Sequence, residues 1–164
     1  MLFGYGNQRF LDVSYDYQVY CFQFPLYYPI QRMSNLELDL VIQPYFNTTR
    51  IQNIEISKKK PTGYELGLQL GVFSSHTFAR DHFSIGVGIS SGPGYVSKTP
   101  RRQVSGFIFS NNLWLGLDIK ISKNLDFGLQ AGFRHQSNAG IKNPNQGINN
   151  MLFNVGLLAK VSDN

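Results

Sequence analysis

The chain has 164 residues, enough for one compact domain with an interior, and no shift of composition marks a second. Charged residues make up only 15% of it, with a net charge of +5, while 16 glycines and a 14% aromatic share lean toward an all-β chain with short turns. No apolar run reaches the roughly 20 residues that a membrane-spanning helix needs, which excludes a helical membrane protein and leaves a barrel open; the one cysteine, Cys21, excludes an internal disulfide and has no Cys or His nearby for a zinc spacing.

Residues 1–164 are read as a single β-barrel domain. The start, MLFGYGNQRF, has no basic segment followed by an apolar one, so an export signal is expected to have been removed or to lie outside this chain, and N-terminal truncation is compatible with the sequence. Before Gln31, Leu11, Val13 and Tyr15 alternate, but parity blurs from Val19 to Ile30; one strand, at most two, is expected there.

From Leu36 onward the period is two. Leu36, Leu38, Leu40 and Ile42 oppose Glu37, Asp39 and Gln43; Tyr64, Leu66, Leu68 and Leu70 oppose Glu65, Gly67, Gln69 and Gly71. Phe83, Ile85, Val87 and Ile89 oppose Ser84, Gly86, Gly88 and Ser90, and Leu113 to Ile119 repeats the pattern with Trp114 as its exception. Leu125, Phe127, Leu129, Ala131 and Phe133 oppose Asp126, Gly128, Gln130, Gly132 and Arg134, and Met151 to Ala159 closes the series. Seven strands are visible; an eighth is expected to be short, near the N-terminus, or missing.

Alternation alone fits a soluble or a membrane barrel. The polar face separates them, because Gly, Ser, Gln and a few acids suit a narrow hydrogen-bonded lumen, whereas a water-facing wall carries many Lys and Glu. The apolar face is then the lipid-facing one, and the expected fold is an all-β, antiparallel transmembrane β-barrel of about eight strands in the bacterial outer membrane. Short turns (Gln31–Asn35, Ser75–His82, Ser122–Asn124) alternate with long loops (Asn47–Thr62, Ser91–Ser105, Asn138–Ile148), the asymmetry such barrels show. The long loops hold Arg50, Lys58, Lys59, Lys60, Lys98, Arg101, Arg102 and Lys142 against one acid, Glu55. Lys58, Lys59, Lys60, Arg101, Arg102 and Lys142 are candidates for binding lipid phosphate, the alternative being ordinary solvated loops. Nothing in the sequence calls for nucleic acid, a metal or a cofactor, and a homodimer is compatible with it.

The polar segment FRHQSNAGIKNPNQGINN carries the one candidate active site. Continuing the alternation of Leu129, Ala131 and Phe133 puts His135 and Ser137 on one outward face, a general base beside a nucleophile. HQSNAGIKNPNQGIN, with its spacing H-x-S-N-A-G and then P-N-x-G, resembles the signature of the PagL-type lipid A deacylases, related in activity to acyloxyacyl hydrolases. The resemblance implies an eight-stranded outer-membrane barrel whose lipid-facing His, Ser and Glu hydrolyse an ester-linked acyl chain of lipopolysaccharide. Carried over, Ser137 would be the nucleophile and His135 the base. Asn138 and Gly140 N–H groups with the Asn145 side chain would hold the oxyanion, and Pro144, Gly140 and Gly147 would shape the loop. Asn149 stands where the family pattern has its Glu: an amide can orient the imidazole but supplies no negative charge. Two further readings are a non-catalytic barrel that binds lipopolysaccharide or stabilises the membrane, and a soluble lipocalin-like binder. His76 and His82 are read as solvated turn residues, and Arg134 as a lumen residue paired with one of Glu37, Asp39, Glu65, Asp118 or Asp126.

Overall fold

Successive segments with one apolar and one polar face pair best with their chain neighbours across tight turns. The computed structural model, which describes residues 1–8, 11, 15–52, 61–78 and 82–159, is built of antiparallel strands, most of them paired with their chain neighbours. The strands are β1 (Leu2–Asn7), β2 (Asp16–Gln23), β3 (Leu26–Met33), β4 (Leu36–Gln52), β5 (Thr62–Phe78), β6 (Phe83–Val96), β7 (Gly106–Ser122), β8 (Leu125–Ser137) and β9 (Ile148–Ala159). All pairings are antiparallel in the order β2-β1-β9-β8-β7-β6-β5-β4-β3, and β2–β4 closes the ring.

The ring has eight wall positions, because β2 and β3 share one. β2 pairs with Tyr45–Gln52 of β4 and β3 with Leu36–Ile42 of the same strand. Phe24 and Pro25 interrupt them, and Pro25 brings no N–H to a ladder. The eighth strand is the short N-terminal β1.

The expected faces hold. Leu66, Leu68 and Leu70 of β5, Ile85, Val87 and Ile89 of β6 and Phe153, Val155 and Leu157 of β9 are exposed on the outer wall, while Glu65, Gln69, Ser90, Gln130 and Asn154 are buried inside. The strands run further than expected, so the loops are shorter. β4 continues to Gln52, which places Arg50 on a strand, its guanidinium 5.6 Å from the centre of the Tyr20 ring. β6 continues through Gly92, Pro93 and Gly94. The β5–β6 ladder pairs Gly67 with Gly94 and next Leu70 with Ser91, so Pro93 lies where the ladder is interrupted and lacks nothing for want of an N–H. A Cβ on Gly92 would stand 2.0 Å from the Leu68 carbonyl oxygen, the close approach that only glycine permits.

The N-terminal region also departs from expectation. Leu11 and Tyr15 lie outside the strands, and Val13 is outside the described residues. His76 sits on β5 opposite Ile85, not in a turn. The lumen is not polar throughout: Trp114 points inward and stacks on Phe73 (6.3 Å between centroids, 4° between planes), with Val41 and Tyr27 packed against them. Gly88 makes the room, since a Cβ there would meet Trp114 at 2.2 Å. Cys21 is a packed lumen residue between Val19 and Leu152.

Among the described residues, the short connections Ser34–Asn35 and Lys123–Asn124 lie at one end of the barrel and the longer ones, residues 97–105 and 138–147, at the other. The candidate site is at the long-loop end, on the outer face of β8 and β9.

Candidate active site

His135 and Ser137 occupy successive outward positions at the end of β8. His135 lies opposite Asn149 of β9 on one side and Asn111 of β7 on the other; Ser137 lies opposite Phe109. The imidazole Nδ1 and the Asn149 Oδ1 are 2.7 Å apart. An amide oxygen can only accept, so this bond fixes the tautomer with Nδ1–H donating and leaves Nε2 free to take a proton.

Asn149 is itself held. Its backbone N–H donates to the Tyr15 hydroxyl at 2.8 Å, and that hydroxyl donates to the Asn149 carbonyl at 3.4 Å. The Arg102 guanidinium lies 5.1 Å from the centre of the Tyr15 ring and donates to the Gln146 carbonyl at 3.1 Å. Residues 97–105 and 138–147 are thus tied together. Gln103 bridges to Asn145, its Oε1 accepts the Gly147 N–H at 3.1 Å, and Val104 N–H donates to the Pro144 carbonyl at 3.0 Å.

Gly147 does more than shape the loop. Its φ is +73°, and a Cβ there would come within 2.5 Å of His135 Cε1 and 3.2 Å of Nε2. A side chain at 147 would therefore press on the Cε1–Nε2 edge of the imidazole. The sequence marked Gly147 only as a loop glycine, and nothing in it marked Tyr15 or Gln103 as supports.

The expected oxyanion donors are placed differently from their reading. The Asn138 N–H donates to Asn145 Oδ1 at 2.9 Å, and the Gly140 N–H to Asn138 Oδ1 at 3.1 Å. Both backbone donors are thus satisfied within the loop, which turns through Ala139 and Gly140 at φ of +53° and +81°. With Asn145 Oδ1 occupied, its Nδ2 is what the side chain has to offer. Of the candidate phosphate-binding cations, Arg101 and Lys142 are exposed, Arg102 is half-buried and engaged on Tyr15 and Gln146, and Lys58, Lys59 and Lys60 lie outside the described residues.

Directly behind the site, facing the lumen, Arg134 donates to Glu65 (2.6 and 3.3 Å) and to Asn150 Oδ1 (2.8 Å). Glu65 also accepts from the Tyr17 hydroxyl (2.6 Å) and Asn47 (2.8 Å), so Glu65 is the partner of Arg134 among the acids considered. This network clamps β8 to β9 at the pair adjacent to His135 and Asn149.

Comparison with known proteins bears on the activity. The sequence model of the family described as lipid A 3-O-deacylase (PagL) matches residues 12–157. A solved structure described as the crystal structure of the outer membrane enzyme PagL is similar in fold, with a TM-score of 0.68 at 15% identity, over 96% of this chain and 99% of that one. No curated protein matches the sequence. Since the family match covers most of the chain, from residue 12 to residue 157, this chain belongs to the lipid A 3-O-deacylase (PagL) family, hydrolases of the outer membrane that remove an acyl chain from lipid A.

Proposed function

We propose that this chain deacylates lipid A as a serine esterase whose nucleophile is Ser137 and whose base is His135, with Asn149 in the place of an acid. The observation that carries this reading is the 2.7 Å bond from His135 Nδ1 to Asn149 Oδ1 on the outer wall, next to the Ser137 position. Nε2 takes the Ser137 proton as Oγ attacks the ester carbonyl of the acyl chain. The same nitrogen returns the proton to the departing sugar oxygen, leaving an acyl group on Ser137. Water then attacks that acyl group, giving its proton to Nε2, and the fatty acid leaves as Oγ recovers it. The Asn145 Nδ2 is the candidate side-chain donor for the oxyanion, since the Asn138 and Gly140 N–H groups reach that position only if the loop gives up its own bonds.

The outer face suits a substrate that never leaves the bilayer. The acyl chain lies against the apolar wall of β7, β8 and β9 while the phosphorylated sugar meets the long-loop rim, where Arg101 and Lys142 are exposed. The family description names the 3-O ester, and we assign that position to this chain. The test is to incubate the refolded protein in detergent with lipid A and measure released hydroxy fatty acid by mass spectrometry, with Ser137→Ala as control. A drop of at least about 10³-fold in the variant is expected; equal release by both proteins sinks the assignment. The absence of a carboxylate at Asn149 favours a second reading, a barrel that binds lipopolysaccharide without cleaving it, and binding with no release by wild type would establish it.

A further inference from the structure

The outer wall beside the site carries a polar pair that the deacylation chemistry above does not use. Asn111 of β7 stands directly opposite His135, and Ser91 of β6 directly opposite Asn111. Both are exposed, and the Ser91 hydroxyl donates to Asn111 Oδ1 at 2.7 Å. These residues are not part of the rim. β7 descends from the long-loop end at Gly106, so Phe107 and Phe109 lie above Asn111 on the same face, and Pro93 and Tyr95 lie above Ser91. An amide and a hydroxyl set inward of exposed aromatic residues sit where lipid tails pack, and polar groups there are unfavourable without a partner. Ser91 satisfies the amide oxygen. What Asn111 has left to offer is its NH2.

The depth of Asn111 says which part of the substrate it meets. Ser137 is one outward position nearer the loops than His135, about 7 Å along the strand, so Asn111 lies deeper than the nucleophile. The sugar is on the loop side of Ser137 and the acyl chain on the tail side. Side chains directly opposite across strands have Cβ atoms about 5 Å apart, so the Asn111 amide faces the part of the acyl chain that follows the scissile carbonyl. We infer that Asn111, oriented by Ser91, is a specificity determinant that donates a hydrogen bond to an oxygen carried near the carboxyl end of the acyl chain, and so selects β-oxygenated acyl chains over plain ones. The inference rests on the reading of Ser137 as nucleophile, because that fixes where the scissile carbonyl sits.

The test uses two esters of one glucosamine alcohol, identical in chain length, with and without a β-hydroxyl on the acyl chain, in detergent micelles. Wild type should favour the hydroxylated ester by about tenfold in kcat/KM, the size of one neutral hydrogen bond. Asn111→Leu, which suits the lipid-facing wall, should bring that ratio near one while leaving the rate on the plain ester within about twofold. Ser91→Ala, which frees the amide to rotate, should fall between them. Binding of the same two esters to Ser137→Ala gives the ratio without turnover and should follow the same order. An unchanged ratio in Asn111→Leu overturns the inference, as does an equal loss on both esters, which would make Asn111 a support for His135. Hydrolysis that survives Ser137→Ala would instead strike the nucleophile assignment, and the binding ratio would still decide for or against Asn111.

Discussion

Two adjacent residue pairs across β8 and β9 carry opposite chemistry. Arg134 with Asn150 faces the lumen, and His135 with Asn149 faces lipid. Inside, the Glu65 carboxylate is fully buried and has Arg134, Tyr17 and Asn47 on it, so the pair is held from three other strands. Outside, His135 and Asn149 are half-exposed, and the bond between them is the side-chain link that joins them. A strand turns consecutive residues to opposite faces, so the saturated network and the open site share one stretch of backbone. Rigidity comes from the lumen, access from the lipid side, and neither has to be traded for the other.

Breaking the inner pair should have the largest effect. Arg134→Met leaves the Glu65 carboxylate buried without its cation, and loss of one partner of such a pair costs about 3–5 kcal/mol. Urea unfolding in micelles, followed by Trp114 fluorescence, should show the midpoint falling by a corresponding amount, with Glu65→Leu added in the same chain recovering much of it. An unchanged midpoint in Arg134→Met would mean that the clamp does not hold β8 to β9. The second expected effect is a gain on the outer pair. In a serine triad, carboxylate-to-amide replacement costs about 10⁴-fold, much of it through the wrong histidine tautomer. Here Asn149 Oδ1 already selects the tautomer, so only the missing charge is at stake. Asn149→Glu should therefore raise kcat on lipid A by about 10²-fold, near 2.7 kcal/mol. A constant kcat would mean that the amide suffices.

The same contrast of faces explains how far the sequence could be read. β5 to β9 were legible because lipid outside and Gly, Ser and Gln inside make the two faces chemically unlike. Along β2 the lumen side carries Tyr17, Val19 and Cys21 and the outer side Tyr20 and Phe22, so both faces are apolar and parity vanishes. The far half of β4 failed for the opposite reason, since Thr48 and Arg50 make its outer face polar. The outward placement of His135 and Ser137 was legible because alternation carries through to the end of β8. Their supports were not, because Tyr15 and Gln103 come from loops remote in sequence. The Asn138 and Gly140 N–H groups looked like oxyanion donors until the side chains of Asn145 and Asn138 were seen to occupy them.

Gly147→Ala tests how tightly the outer site is packed. The substitution adds strain at φ +73° and a methyl 2.5 Å from His135 Cε1. Displacing the imidazole by a fraction of an ångström should lower kcat by about tenfold with little change in unfolding midpoint, because the lumen network is untouched. A midpoint that falls as far as in Arg134→Met would mean that the loop, and not the clamp alone, holds the two strands.

Tyr15→Phe should give the smallest effect and separates orientation from packing. The phenol is packed with Tyr17, Ile51 and Ile148, and its ring carries the Arg102 guanidinium; Phe keeps both of these contacts. What it removes is the hydroxyl that bridges the N–H and C=O of Asn149. One such bond contributes about 1 kcal/mol, so kcat should fall by no more than about fivefold while KM is unchanged, since Tyr15 does not line the acyl-chain wall. In the Asn149→Glu background the fall should shrink, because a carboxylate attracts the imidazolium that forms on His135 and depends less on its backbone being held. An equal fall in both backgrounds would show that Tyr15 acts on the loop as a whole and not through residue 149.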